Sequence, residues 1–230
     1  MGLRHPALRR DGTEGLVELS ITRLEIDSEI YFSAFLRDVT EQRRLDRFVE
    51  LQLESSRIFA EAATISDAAV RLLDIMSTLG SWDYGDYWEF DERASGLRCL
   101  ATWGAPGRDF EDFRAASHDV VFRSGVGLPG RVWSTGRATW SRDVHLDEGV
   151  ARRDLAARHS LQSGVAFPVL CGSTPVAVFE FFSSTRRDSD ATTLAQFESI
   201  GRQLGLFFER QRAISEIRES EARFRNLADS

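Results

Sequence analysis

Cysteine, histidine and arginine are the side chains here whose types and spacing bear most directly on chemistry. Cys99 and Cys171 lie far apart with no CxxC pair, so the sequence indicates neither a metal knuckle nor a disulfide framework. All 29 basic residues are arginine and none is lysine. That excludes a P-loop lysine, a kinase-type strand lysine and a Schiff base. The densest glycine run, SGVGLPGRVWSTGRATW at 124–140, has the composition of a phosphate cradle but the wrong spacing for a dinucleotide fingerprint. Its glycines read instead as turns that let backbone close over a pocket. A net charge of −7 opposes a nucleic-acid face, and no apolar run approaches the ~20 residues of a membrane span.

The elements that must position these residues follow from periodicity. Residues 1–40 have a hairpin pattern, with an Asp11-Gly12 turn, a strand from Leu16, a second turn near Asp27 and Ser28, and a strand over 30–40. Leu45, Phe48, Val49, Leu53, Ile58 and Phe59 recur at helical spacing among Arg and Glu. Thr64 or Ser66 caps a second helix that stops at Gly80. Segments 82–90 and 96–103 read as an aromatic hairpin, 104–118 as a loop, and 120–123 as an edge strand. Pro129 opens a short helix that ends at Gly136, and a strand follows through Trp140. A helix over 148–159 and two apolar strands, 165–171 and 176–182, come next. The sum is an α+β fold with about six mostly antiparallel strands and helical layers. From Asp188 onward one long helix carries Leu194, Phe197, Ile200, Leu204, Phe207 and Ile214 at near-heptad spacing.

The order of glycine loop, short helix, Gly136 and strand, followed by GVAFPVL at 164–170, resembles the GAF domain, a small-molecule sensor module. Residues 1–40 resemble the last strands of a PAS domain, whose closing Asp, aliphatic, Thr signature is matched by Asp38, Val39 and Thr40. The segment SEARFRNLADS at 220–230 resembles the lead-in to a further PAS domain, which implies an interior fragment of a longer chain. The expected organisation is a PAS end at 1–40, a connecting helix at 41–63, a GAF domain at 64–185 and an output helix at 186–230.

The GAF resemblance places a ligand between the sheet and residues 141–162. It nominates Trp140, Asp143, His145, Arg152, His159 and Phe167 as pocket or lid residues. Aromatics would supply walls, arginine an anion partner, and histidine a metal or heme ligand. Neither cysteine precedes a histidine, which argues against a covalent bilin. The missing lysine argues against the cyclic-nucleotide subclass, and two isolated cysteines argue against sulfoxide reduction. Heme stays open through His118, His145 or His159, no metal site is assigned, and the ligand is unknown. The resemblance implies a non-catalytic, cytoplasmic sensor segment, with a bacterial sensor histidine kinase as parent. Alternatives are a diguanylate cyclase or phosphodiesterase parent, and a ligand-free dimerisation scaffold. Asp38 and Thr40 would relay the signal. Phe197, Ile200, Leu204, Phe207 and Ile214 would form the seam of a homodimer leading to an output domain.

Overall fold

The computed structural model describes residues 3–10, 14–26 and 29–228. The expected turns at Asp11-Gly12 and Asp27-Ser28 lie outside the described residues, as do Asp229 and Ser230 and the side chains of 3, 4, 14, 26, 215, 216 and 218–228. The chain divides into two compact units, Met1–Glu50 and Leu51–Ser230.

In the first unit, β1 (Leu3–Leu8), β2 (Glu14–Ile26) and β3 (Glu29–Asp38) form an antiparallel sheet in the order β1-β2-β3. Alternation puts Ile21, Phe32 and Leu36 on one face, paired as Ile21↔Ala34, Arg23↔Phe32 and Leu19↔Leu36. These apolar side chains are exposed. At the sheet's exit the Asp38 carboxylate accepts from the Thr40 backbone N–H at 3.0 Å and hydroxyl at 2.6 Å. The Thr40 hydroxyl in turn accepts from the Leu16 N–H at 2.8 Å, and Arg9 pairs with Asp38 at 2.8 Å. These hydrogen bonds, led by that from Thr40, hold the Asp38 carboxyl well below the ordinary range. The junction therefore locks the last strand to the start of α1 (Thr40–Glu61).

In the second unit, α2 (Ile65–Gly80) begins where the Thr64 side chain accepts from the Asp67 N–H, and ends at Ser81 in the left-handed region. The hairpin β4 (Tyr84–Asp91) and β5 (Gly96–Gly104) follows, and then comes α3 (Glu111–Asp119), where the sequence pattern reads as a loop. Acidic residues in its first turn and His118 in its last suit the helix dipole. Only Phe113 and Ser117 are buried, too sparse an apolar face for periodicity to show. The remaining elements are β6 (Val121–Phe122), α4 (Gly127–Thr135), β7 (Thr139–Ser141), α5 (Arg153–Arg158), β8 (Ser163–Cys171), β9 (Thr174–Ser183) and α6 (Ala191–Ala228). The expected helix over 148–159 is only the six residues of α5, because 142–152 runs as turns and bends.

All strand pairs are antiparallel, in the order β6-β5-β4-β9-β8-β7. One face packs against α1, α2 and α6. There Tyr87, Val165, Phe167, Val169, Phe179 and Phe181 meet Leu51, Ile58, Leu72, Leu73, Met76, Ile200 and Leu204 in one core. Phe167 stacks on Phe179 at 5.3 Å and on Phe197 of α6 at 5.2 Å. Here α6 lies directly on β8: a Cβ at Gly201 would meet the Pro168 carbonyl oxygen at 2.1 Å, and one at Gly205 the Leu170 carbonyl oxygen at 1.8 Å. The stripe expected to pair with a second copy is thus used inside the chain, with Phe197, Ile200, Leu204 and Phe207 buried against the sheet. On α1 the buried face is Leu51, Ser55 and Ile58, while Val49 and Leu53 of the expected stripe are exposed.

Candidate functional site under the lid

The opposite face of the same sheet is covered by α3, α4, α5 and the segment 142–152, here called the lid. Because side chains alternate, Tyr84, Asp86 and Trp88 of β4 and Val178, Glu180 and Phe182 of β9 all point to this face. Two apolar clusters cover its ends. One gathers Tyr84, Phe110, Phe113, Val144, Val150 and Phe182; the other gathers Trp88, Leu97, Phe122, Leu128, Val132 and Val178. Between them lie Asp86 and Glu180, directly opposite each other in the β4–β9 register and both buried.

Like charges facing across a ladder repel. Arg152 of the lid, itself only 6% exposed, answers this by reaching down to both. Its Nη2 pairs with Asp86 Oδ2 at 2.8 Å and donates to Glu180 Oε2, and its Nη1 donates to the Ser117 hydroxyl. Ser117 is fixed by donating to the Phe113 carbonyl at 2.9 Å and lies 3.2 Å from the Tyr84 hydroxyl. Aromatic rings complete the enclosure. The guanidinium carbon lies 4.6 Å from the centre of the Phe113 ring, 5.1 Å from Trp88, 5.6 Å from Phe182 and 6.0 Å from Phe122.

Two carboxylates face one guanidinium, so the fully ionised group carries net negative charge in an apolar setting. Burial pushes the Glu180 carboxyl up to about 7, against the pull of Arg152 and with Asp86 adding to the rise. Burial raises Asp86 as well, again opposed by Arg152. Arg152 stays protonated, since the two carboxylates outweigh the cost of its burial.

The nominated residues divide between the two faces. Arg152 lies at the centre of the lid face, where its partners are the chain's own acids. His159, at the end of α5, packs on Phe110 at 5.1 Å and bonds through Nε2 to Asp112, whose carboxyl it holds below the ordinary range. Asp143 pairs with Arg186 and accepts from the His145 N–H at 3.1 Å; the His145 side chain is exposed. Trp140 and Phe167 lie on the helix side, Trp140 donating to the Arg187 carbonyl at 2.9 Å and packing 5.8 Å from Trp82. Asp86, Glu180, Ser117 and Trp88 are absent from the sequence nominations. An isolated charge inside an aromatic strand, as in VFEFF, was the available signal.

The cysteines lie on opposite faces. Cys99 is 3.9 Å from Asp86, with its thiol pushed up by burial and by that carboxylate. Cys171 lies against the Gly205 carbonyl of α6. Among the described residues no group of three His, Cys, Asp or Glu could hold a metal ion. No helix among them is long and apolar enough to cross a membrane.

The sequence matches the GAF domain over residues 62–209, which takes in α2 through the buried half of α6. The chain belongs to the GAF family. Solved structures with a similar fold include the free methionine-R-sulfoxide reductase of Neisseria meningitidis in complex with its substrate. It is 15% identical with a TM-score of 0.60, over 73% of this chain and 91% of that one. The A. aeolicus Nlh2 GAF domain in an inactive state is 19% identical with a TM-score of 0.57, over 74% and 99%. A domain of a putative two-component sensor histidine kinase protein from Sinorhizobium meliloti is 18% identical with a TM-score of 0.52, over 68% and 99%. No curated protein matches the chain in sequence.

Proposed function

We propose that this GAF chain is the cytoplasmic sensing and relay segment of a signalling protein, with a small ligand taken up on the lid face and its binding read out by α6. One observation carries the reading. On β9, Glu180 of the lid face lies between Phe179 and Phe181 of the helix face, and those rings pack with Phe167 and with Phe197 of α6. A shift at Glu180 therefore reaches α6 in two contacts, through a close-packed layer that transmits displacement.

In this reading residues 1–40 are the end of a PAS domain, and Asp38 and Thr40 pass its motion into α1. The parent is a sensor histidine kinase, in keeping with the sensor kinase domain among the structural neighbours. The chain works as a homodimer, joined through side chains that α6 leaves outside its own core, such as Leu206 and Ile217. Sulfoxide reduction, the activity named for one neighbour, is disfavoured by Cys99 and Cys171, which a single sheet separates.

Hydrogen–deuterium exchange tests the relay without any ligand. Arg152→Met loosens the lid at its centre, and the account expects faster exchange in α6 around residues 197–208 as well as in 142–162. Faster exchange confined to 142–162 would overturn the relay. For the dimer, sedimentation should show monomers for Leu206→Glu with Ile217→Glu and an unchanged circular dichroism spectrum; a wild-type monomer at micromolar concentration would remove the homodimer.

A further inference from the structure

We propose that the lid face is a cation site whose resident occupant is Arg152, and that a small guanidinium compound binds by displacing it. The inference rests on the proposed ligand site and adds the chemical class. The surroundings of Arg152 are those of a receptor for a planar cation: two buried carboxylates, a hydroxyl acceptor from Ser117, and four aromatic rings within 6.0 Å of the guanidinium carbon. The side chain that fills it comes from outside the sheet. Arg152 precedes a helix of only six residues at the end of an irregular segment, which is held by Val144 and Val150 in the apolar cluster and by the pairs Arg131–Asp147 and Asp143–Arg186.

Two further features point to a ligand rather than to a settled core. The acids outnumber the guanidinium two to one, so the group keeps a net negative charge that attracts a cation. The Trp88 indole N–H, fully buried beside the guanidinium, makes no well-formed hydrogen bond and faces Glu180, whose ionised carboxylate it favours. Arg152 is then a tethered competitor: its displacement frees the lid and binding is coupled to lid opening. No covalent step is involved.

The test uses methylguanidinium as probe. In Arg152→Ala, which vacates the cage, millimolar methylguanidinium should raise the melting temperature saturably, with methylammonium about tenfold weaker because it lacks both the second nitrogen that reaches Ser117 and the planar face that meets the rings. The added Glu180→Gln should remove the effect. The wild type should bind at least about tenfold more weakly than Arg152→Ala, since its own arginine competes. If Arg152→Ala does not fold, nitrogen-15 spectra of the wild type decide: the Arg152 side-chain N–H signals should shift and lose protection on titration. A folded Arg152→Ala with no saturable response, or Arg152 signals unmoved in the wild type, would overturn the proposal. Equal or better binding of methylammonium would overturn the guanidinium class. Failure here with α6 exchange still responding to Arg152→Met leaves the relay standing and removes only the ligand class.

Discussion

On one face of β9, Ala177, Phe179 and Phe181 join a dry stack of aliphatic and aromatic side chains under α2 and α6; on the other, Val178 and Phe182 flank a buried carboxylate held by an arginine from the lid. The same strand in the same sheet thus builds one face from packing alone and the other around charge. The helix face shows that this sequence can close a core without ions. A buried ion group is commonly no more stable than an apolar filling of equal volume, yet breaking it by removing one partner is costly. The difference teaches that the helix face is built for packing and the lid face around charge, which is why the proposed function puts the ligand on the lid face.

The largest effects probe that contrast directly. Phe167→Ala removes the ring at the centre of the helix-side stack and should cost about 3–5 kcal/mol in denaturant unfolding. Arg152→Met strands two buried carboxyls and should cost about as much, roughly 3–5 kcal/mol. The two losses differ in kind: the second should shrink when Glu180→Val is added, whereas no added substitution that neutralises charge should rescue the first. Next, Gly205→Ala drives a methyl into the Leu170 carbonyl and should cost about 1–3 kcal/mol, with α6 showing faster amide exchange.

The smallest effect is the pH dependence. Folded Glu180, at about 7, binds its proton more tightly than an unfolded glutamate at 4.5. Its contribution is therefore complete below 4.5 and is lost as pH rises through about 7, so stability should decline across that window. The decline should flatten in Glu180→Gln, and chemical denaturation at a series of pH values measures it. A decline unchanged in Glu180→Gln would assign it elsewhere.

The helix face was largely legible in the sequence, because continuous apolar strands such as 165–171 and capped helices such as Thr64 onward announce themselves. What α6 packs on was not. Its near-heptad stripe has the same spacing whether it meets a second helix or a sheet, and the cue for the sheet was Gly201 and Gly205, four residues apart on the buried side. The lid face was legible in part. Its location over 141–162 and the choice of Arg152 followed from the family resemblance, but Arg152 was cast as an anion partner for a ligand, and the chain supplies the anions itself. Asp86 and Glu180 come from strands about 90 residues apart, and only the β4–β9 pairing brings them together. Trp140 and Phe167 were assigned by position in the chain, while strand alternation sends them to the helix side.

The most direct test of the central claim is denaturant unfolding of the triple variant Asp86→Val, Arg152→Met, Glu180→Val beside the wild type. The account predicts a folded chain at least as stable as the wild type, since apolar residues replace a charge group that the fold does not need. A triple variant that unfolds or loses several kcal/mol would show that the buried charges hold the fold together, and would contradict the assignment of the lid face to a ligand.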